Sequence, residues 1–142
     1  MKKHVLFLLF ALLSLVLISC VSQDTEQASQ GLEMTLSEDG TYYEVSGIGE
    51  CKDSNIVIPS EYEGIPVTRI GDMAFSGCDI ESIVLPDTVT IIGDGAFWNC
   101  AIASIILPDT FTIIGDHAFY LCHQLKEINI PNSVTHIGAQ AF

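Results

Sequence analysis

The sequence predicts a solenoid of short stacked coils with parallel strands on one face, and three observations support this. The hexapeptide I-G-D-x-A-F recurs at residues 70–75, 92–97 and 114–119, and it returns as I-G-A-Q-A-F at 137–142. Its glycine recurs after 22, 22 and 23 residues. An L-x-x-L-x-L pattern of apolar residues lies between successive copies. Repeats of this period form coils that bury their apolar sides only against neighbouring coils.

The strand of each coil is predicted by its alternation and by the proline that follows. Ile83 and Leu85 should point into the core, while Ser82 and Val84 should point to solvent. Pro86 ends the strand because it cannot donate to a ladder. The same boundary is expected at Pro59, Pro108 and Pro131.

The opposite side of each coil is predicted to hold turns and short helical turns. Gly93 should allow a tight turn, and Asp94 should cap a helical turn over Gly95–Asn99 by accepting backbone N–H bonds. The aromatic residue of the hexapeptide should face inward. We therefore expect one stacked core column formed by Phe75, Phe97, Phe119 and Phe142.

The segment before the repeats fits the period only at its end. Asn55–Ile58 with Pro59 matches the strand, and the residues around Glu61–Gly64 form an extra loop. Residues 32–51 predict a β-hairpin that shields the first coil. The predicted domain is 32–142, with an N-terminal cap at 32–58 and about 3.5 repeats of 22–23 residues, the last one incomplete.

These residues carry a resemblance to a known family. IVIPSEYEGIPVTRIGDMAF and LPDTVTIIGDGAFWNC resemble the BspA-type, or treponemal-class, leucine-rich repeats of bacterial surface proteins. The resemblance covers roughly residues 40–142 and implies a leucine-rich-repeat solenoid used for adhesion or protein binding rather than chemistry. Two coils are one residue shorter than is usual there, which affects curvature and not class.

The N-terminus predicts export and a lipid anchor. Lys2 and Lys3 precede an apolar run from Val5 to Ile18, which is shorter than the roughly 20 residues that a spanning helix needs. Leu-Ile-Ser-Cys at 17–20 resembles the lipobox of bacterial lipoproteins, which implies a signal peptide at 1–19 and acylation of Cys20. The alternative is an ordinary secretory signal followed by a chance cysteine. The polar residues 20–31 are interpreted as a flexible tether.

The net charge argues against two classes of partner. The formal net charge is −13, and cleavage before Cys20 would remove Lys2 and Lys3 but none of the 18 acidic residues. Nucleic acids and anionic lipids need basic patches, so neither is an expected partner.

Repeated cysteines and aspartates are predicted to be structural. Cys78, Cys100 and Cys122 recur every 22 residues, and parallel side chains of this kind suit buried free thiols better than disulfides. A pair between Cys51 and Cys78 stays open. The repeated carboxylates could indicate a calcium site, but hydrogen bonds within caps and turns explain them better. These carboxylates are Asp72, Asp94, Asp116, Asp87 and Asp109.

Neither a catalytic group nor a cofactor or metal site is expected. The histidines lie at unrelated repeat positions, and no nucleophile, base and orienting group recur together.

Two surfaces remain as candidates for a partner. The outward strand positions should form two columns, Asn55, Ser82, Ser104, Glu127 and Val57, Val84, Ile106, Asn129; strand propensity alone is the alternative explanation of their β-branched residues. Trp98 and Tyr120 should neighbour each other on the opposite side, either as an exposed anchor or packed against a neighbouring coil.

The sequence thus predicts a membrane-anchored, surface-exposed lipoprotein of the bacterial cell envelope that binds a host or envelope protein. The alternatives are a repeat module that self-associates end to end, since the sequence stops at Phe142 in mid-repeat, or a fragment of a longer repeat protein.

Overall fold

The structure is a computed structural model that describes residues 27–142. The signal peptide predicted at 1–19, the lipid-attachment residue Cys20 and the first part of the predicted tether lie outside the described residues. Within 27–142 the chain forms a β-solenoid of parallel strands, which confirms the predicted repeat architecture.

The predicted strands form one parallel four-stranded sheet. Its members are β3 (Asn55–Val57), β6 (Ser82–Val84), β8 (Ser104–Ile106) and β10 (Ile128–Asn129). They lie in the order β10-β8-β6-β3, so each coil adds one strand to the next. Apolar residues of these strands alternate inward as expected, because Ile83 and Leu85 are buried and Val84 is exposed.

A second sheet covers the face where the sequence predicted only turns. It contains seven strands, in the order β1-β2-β5-β7-β9-β11 with β4 beside β5. The strands are β1 (Glu33–Leu36), β2 (Tyr43–Gly47), β4 (Glu61–Tyr62), β5 (Ile65–Ile70), β7 (Ile91–Ile92), β9 (Ile113–Ile114) and β11 (His136–Ile137). Strands of two residues carry too few positions for a periodic signal, which explains why the sequence did not reveal them.

The predicted short helical turns are absent from the described chain, and backbone conformation gives the reason. Residues at the variable position of the hexapeptide have positive φ, from 51° to 58°, at Met73, Gly95, His117 and Gln140. A residue with a left-handed backbone conformation cannot continue a right-handed helix. The amide at this position donates to the next coil instead, as the Met73 amide does to the Asp94 carbonyl at 2.9 Å.

The repeated aspartates link coils rather than capping helices. Asp72 Oδ1 accepts a hydrogen bond from the amide of Asp94 at 3.0 Å, and Asp94 Oδ1 accepts from the amide of Asp116 at 2.8 Å. Asp116 Oδ1 continues the ladder to the amide of Ala139 at 2.6 Å. The predicted cap at Asp94 is therefore wrong in its partner, because the amide that it satisfies belongs to the next coil.

The glycines before Asp94 and Asp116 are required by close approach between coils. A Cβ at Gly115 would lie 2.5 Å from Asp94 Oδ1 and 2.6 Å from the carbonyl carbon of Gly93. Any side chain there would therefore push two coils apart. This differs from the predicted role in a tight turn, because Gly115 does not have a positive φ.

The predicted phenylalanine column lies in the core between the sheets. Consecutive ring centroids are 5.5, 5.2 and 5.5 Å apart with nearly parallel planes, from Phe75 through Phe97 and Phe119 to Phe142. Phe75 and Phe97 are fully buried, whereas Phe142 is 52% exposed. The column joins successive coils through contact of large apolar side chains.

The cap is a β-hairpin, as expected, but it extends the solenoid instead of only covering it. β1 pairs antiparallel with β2, and β2 pairs in parallel with β5. The loop predicted around Glu61–Gly64 is a second hairpin, β4–β5, whose turn has positive φ at Glu63 and Gly64. The Tyr43 hydroxyl donates to Glu63 Oε2 at 3.0 Å, which fixes this hairpin to the cap and raises the pKa of Tyr43.

The end of the predicted tether is bound to the sheet edge. The amide of Ser29 donates to the Val57 carbonyl at 2.9 Å, and the Ser29 hydroxyl accepts from the Val57 amide at 3.1 Å. Ser29 thus satisfies backbone groups on the open side of β3, which would otherwise be an unpaired edge.

Candidate binding face

The two predicted surface columns lie on the four-stranded sheet. Residues Asn55, Ser82 and Ser104 pair in register across β3, β6 and β8. The second column pairs in the same way from β3 to β10, through Val57, Val84, Ile106 and Asn129. Glu127 directly precedes β10 and is exposed. We call this surface the outer sheet face.

The outer sheet face exposes apolar side chains at its centre. Ile106 is 82% exposed and Val84 is 44% exposed, although each lies in a strand with partners on both sides. Val57 is half-buried next to Val84. Water therefore contacts a continuous apolar stripe across three coils, and such exposed stripes are typical of interaction surfaces.

A groove follows this stripe. One section, of about 310 Å³, is lined by residues of two neighbouring coils: Ser82, Ile83, Val84, Leu85, Asp87, Ser104, Ile105, Ile106 and Pro108. A second section, of about 420 Å³, shares Val84 and is lined by Ala28, Val57, Ile58, Pro59, Ser60, Glu61 and Pro86. Ala28, which directly precedes the edge-bound Ser29, is thus part of the lining of this second section.

The outer sheet face also carries polar and acidic side chains. The Ser82 hydroxyl donates to Asn55 Oδ1 at 2.7 Å, so these two groups satisfy each other. Asp87 lines the groove, and Asp109 occupies the same position on the next coil. Arg69 forms the ion pairs found in the described chain, with Glu44 and Asp72, so neither Asp87 nor Asp109 has a basic partner there.

Trp98 and Tyr120 are neighbours, as predicted, on the turns that follow the short strands β7 and β9. We call this surface the turn side. The two ring centroids are 5.6 Å apart at a near-perpendicular angle. The sequence did not indicate His117, whose ring stacks on Trp98 with centroids 5.8 Å apart and whose Nε2 forms a hydrogen bond with the acceptor Gln140 Oε1 at 2.8 Å. Trp98 is 36% exposed, and both of its aromatic neighbours are half-buried. Each of the two contacts that engage Trp98 comes from the next coil.

The cysteines at residues 27–142 are free thiols, and the pair left open between Cys51 and Cys78 does not form. Cys100 Sγ donates to the Phe75 carbonyl at 2.7 Å, and Cys122 Sγ donates to the Phe97 carbonyl at 2.9 Å. Burial raises the pKa of the Cys100 thiol to about 12, and it also raises that of Cys122. These thiols are protonated donors that link coils, with little nucleophilic thiolate.

The described residues include no helix that is long and apolar enough to cross a bilayer. Across the same span, His, Cys, Asp and Glu side chains form no group of three or more that could hold a metal ion.

The repeat sequence decides the family. A family model described as BspA type leucine rich repeat region matches residues 48–142 in six copies. The chain belongs to this family. A comparison with curated protein sequences gives no significant match.

Solved structures of leucine-rich repeat proteins have a similar fold. A leucine-rich repeat protein from Bacteroides ovatus is 31% identical, with a TM-score of 0.71 over 82% of this chain and 32% of that chain. A leucine-rich cell surface protein from Faecalibacterium prausnitzii is 30% identical, with a TM-score of 0.69 over 85% and 35%. A T. pallidum leucine-rich repeat protein is 25% identical, with a TM-score of 0.63 over 82% and 66%. This chain therefore spans about a third of the first two proteins.

The BspA-type repeat explains which site features were visible in the sequence. Strand residues recur in register, so the columns on the outer sheet face could be predicted from spacing alone. His117 lies at the variable position of the hexapeptide, where the other coils have Met73, Gly95 and Gln140, so no repeat signal marked it. Ser29 lies before the repeats in a polar segment whose composition resembles a linker.

Proposed function

We propose that this chain is a non-catalytic lipoprotein, anchored through Cys20, that binds a protein partner on its outer sheet face at the cell surface. The observation that supports binding most strongly is the exposure of Ile106, which is 82% exposed at the end of β8, a strand paired on both sides. A paired β-branched residue gains from burial, so this exposure is best explained by a partner that covers it.

Export and display rest on two independent supports. The lipobox at 17–20 predicts cleavage and acylation at Cys20, and acylation with more than one chain gives stable membrane attachment. The similar protein of F. prausnitzii is described as a cell surface protein. The anchor would place the solenoid where it meets extracellular or envelope proteins.

The anchor is tested by metabolic labelling with a fatty-acid analogue in cells that produce the full-length chain or its Cys20→Ser variant. We expect label only in the wild-type chain, and we expect added protease to degrade it on intact cells. Equal label in both chains would contradict the anchor. Protection until the cells are lysed would contradict surface display.

The binding face is tested by photo-cross-linking. A photoreactive amino acid placed at Ile106 should capture a defined protein in cells, whereas the same group at Met73, which is 52% exposed on the turn side, should not. Capture of the same protein from both positions, or from neither, would contradict binding at the outer sheet face.

A self-associating repeat module is the second candidate function. The last coil exposes apolar side chains, Ile137 at 47% and Phe142 at 52%, beside a cavity of about 430 Å³ that Phe119 and Leu125 help to line. Under this alternative the full-length chain forms oligomers that Phe142→Glu disrupts and Ile106→Glu does not. Analytical ultracentrifugation in non-ionic detergent separates the two outcomes.

A further inference from the structure

The groove on the outer sheet face combines apolar and acidic surface in two parallel rows. The apolar row is formed by Val57, Val84 and Ile106. The acidic row is formed by Asp87 and Asp109, which follow the strand and its proline on successive coils. Both carboxylates are exposed, and Asp87 lines the same groove section as Val84 and Ile106.

The turns that carry these two carboxylates lie next to each other. Stacked strands are about 4.8 Å apart, so equivalent positions on adjacent coils are separated by about one strand spacing. Thr110 donates to the backbone carbonyl of Asp87 at 2.7 Å, which fixes the two turns relative to each other without involving either carboxylate. Because both carboxylates are exposed on neighbouring coils, a row of cations on one partner can contact both of them.

The chain supplies no such cation in its described part. Its basic residues from 27 onward are Lys52, Arg69 and Lys126, and none of them lines either section of the groove. Arg69 is already paired with Glu44 and Asp72. Glu61 adds a third exposed carboxylate in the section beside Val57.

We infer that the partner bound by this groove presents an apolar row beside a row of Lys or Arg side chains. Its apolar side chains cover Val84 and Ile106, and its cations lie against Asp87 and Asp109. The inference rests on the proposed function and specifies the chemistry of the partner, because charge complementarity favours a basic segment over a neutral or acidic one.

The test uses three labelled peptides of equal length and the full-length chain in a non-ionic detergent. The first alternates Leu with Lys, the second alternates Leu with Glu, and the third alternates Ser with Lys. Fluorescence anisotropy at low and moderate salt gives each Kd. We expect the Leu-Lys peptide to bind at least tenfold more tightly than either of the others, with an affinity that falls as salt rises.

Matched variants separate the groove from the general negative charge of the chain. The double variant Asp87→Asn, Asp109→Asn should weaken binding of the Leu-Lys peptide by about threefold to tenfold and reduce the salt dependence of its Kd. Glu38→Gln with Glu50→Gln changes the net charge equally at exposed cap positions, and it should leave the Kd unchanged. Circular dichroism checks that both variants keep the fold.

The outcomes also distinguish this inference from the proposed function. Equal binding of the Leu-Lys and Leu-Glu peptides, or equal effects of the two variant pairs, would overturn the basic partner. Those results would leave the proposed function standing if Ile106 still captures a protein in cells. Absence of that capture would overturn the proposed function itself.

Discussion

Asp94 Oδ1 accepts a hydrogen bond from the backbone amide of Asp116, 22 residues later, at 2.8 Å. The repeated aspartate is therefore a connection between coils, and the same contact recurs from Asp72 to Asp94. This ladder explains why an acidic residue follows glycine in three successive copies of the hexapeptide although the chain already carries a large negative charge.

Removal of one step of the ladder should destabilise the solenoid. Asp94→Ala leaves the Asp116 amide without its partner, and we expect a loss of about 1–2 kcal/mol in the free energy of unfolding. Asp94→Asn keeps an acceptor oxygen and should retain most of that stability. Urea unfolding followed by circular dichroism measures both. Asp109→Ala is the control, and an equal loss there would contradict the ladder.

Glycine at position 115 should be indispensable for stacking. Gly115→Ala places a methyl group within 2.7 Å of the Asp94 amide nitrogen, a backbone atom that cannot move without separating the coils. We expect a loss of about 3 kcal/mol or more. Gly77→Asn is the control, because its counterpart on the next coil is Asn99, which has φ of 54°. A larger loss in the control, measured by thermal unfolding, would show that the interpretation is wrong.

Each ring of the phenylalanine column should contribute to the free energy of unfolding in proportion to how deeply it is buried. Phe97→Ala removes a fully buried ring that stacks on two others, and we expect a loss of about 3–5 kcal/mol. Phe142→Ala should cost less, because its ring is half exposed and stacks on Phe119 alone within the column. Similar unfolding free energies for the two variants would indicate that the column is not the main link between coils.

Alkaline pH should destabilise the fold through Cys100. The pKa of this thiol rises from 9.0 to about 12 on burial, so the folded protein keeps a proton that the unfolded chain loses. The corresponding stability is complete below pH 9 and is lost as the pH rises toward 12. Cys100→Ala should therefore show a flatter decline in urea midpoint between pH 8 and 11 than the wild type. Parallel declines would contradict this role.

The repeat stack and the outer sheet face could be predicted because they follow directly from spacing. Ile83 and Val84 alternate in a strand that Pro86 ends, and the period fixes which residues are neighbours on adjacent coils. Contacts between coils could not be predicted in the same way. Asp94 is a residue type that commonly caps helices. The turn after it is not helical because Gly95 has a positive φ, which the sequence alone does not show.

Short strands and single contacts also could not be predicted from the sequence. Ile91–Ile92 is too short to show alternation, although it pairs with strands on both sides. Ser29 belongs to a polar segment that resembles a linker, yet it hydrogen-bonds with the edge of β3 through two atoms. Both features depend on partners far away in the chain, which local composition does not encode.

The affinity of the protein captured at Ile106 is the most direct measure of the central claim, that the outer sheet face binds a partner. The full-length chain and its Val84→Glu, Ile106→Glu variant are compared by biolayer interferometry, with Met73→Glu, Leu121→Glu as the turn-side control. We predict at least tenfold weaker binding for the first variant, about 1.4 kcal/mol, with circular dichroism and the control affinity unchanged. Equal affinity of the wild type and the Val84→Glu, Ile106→Glu variant would contradict the claim.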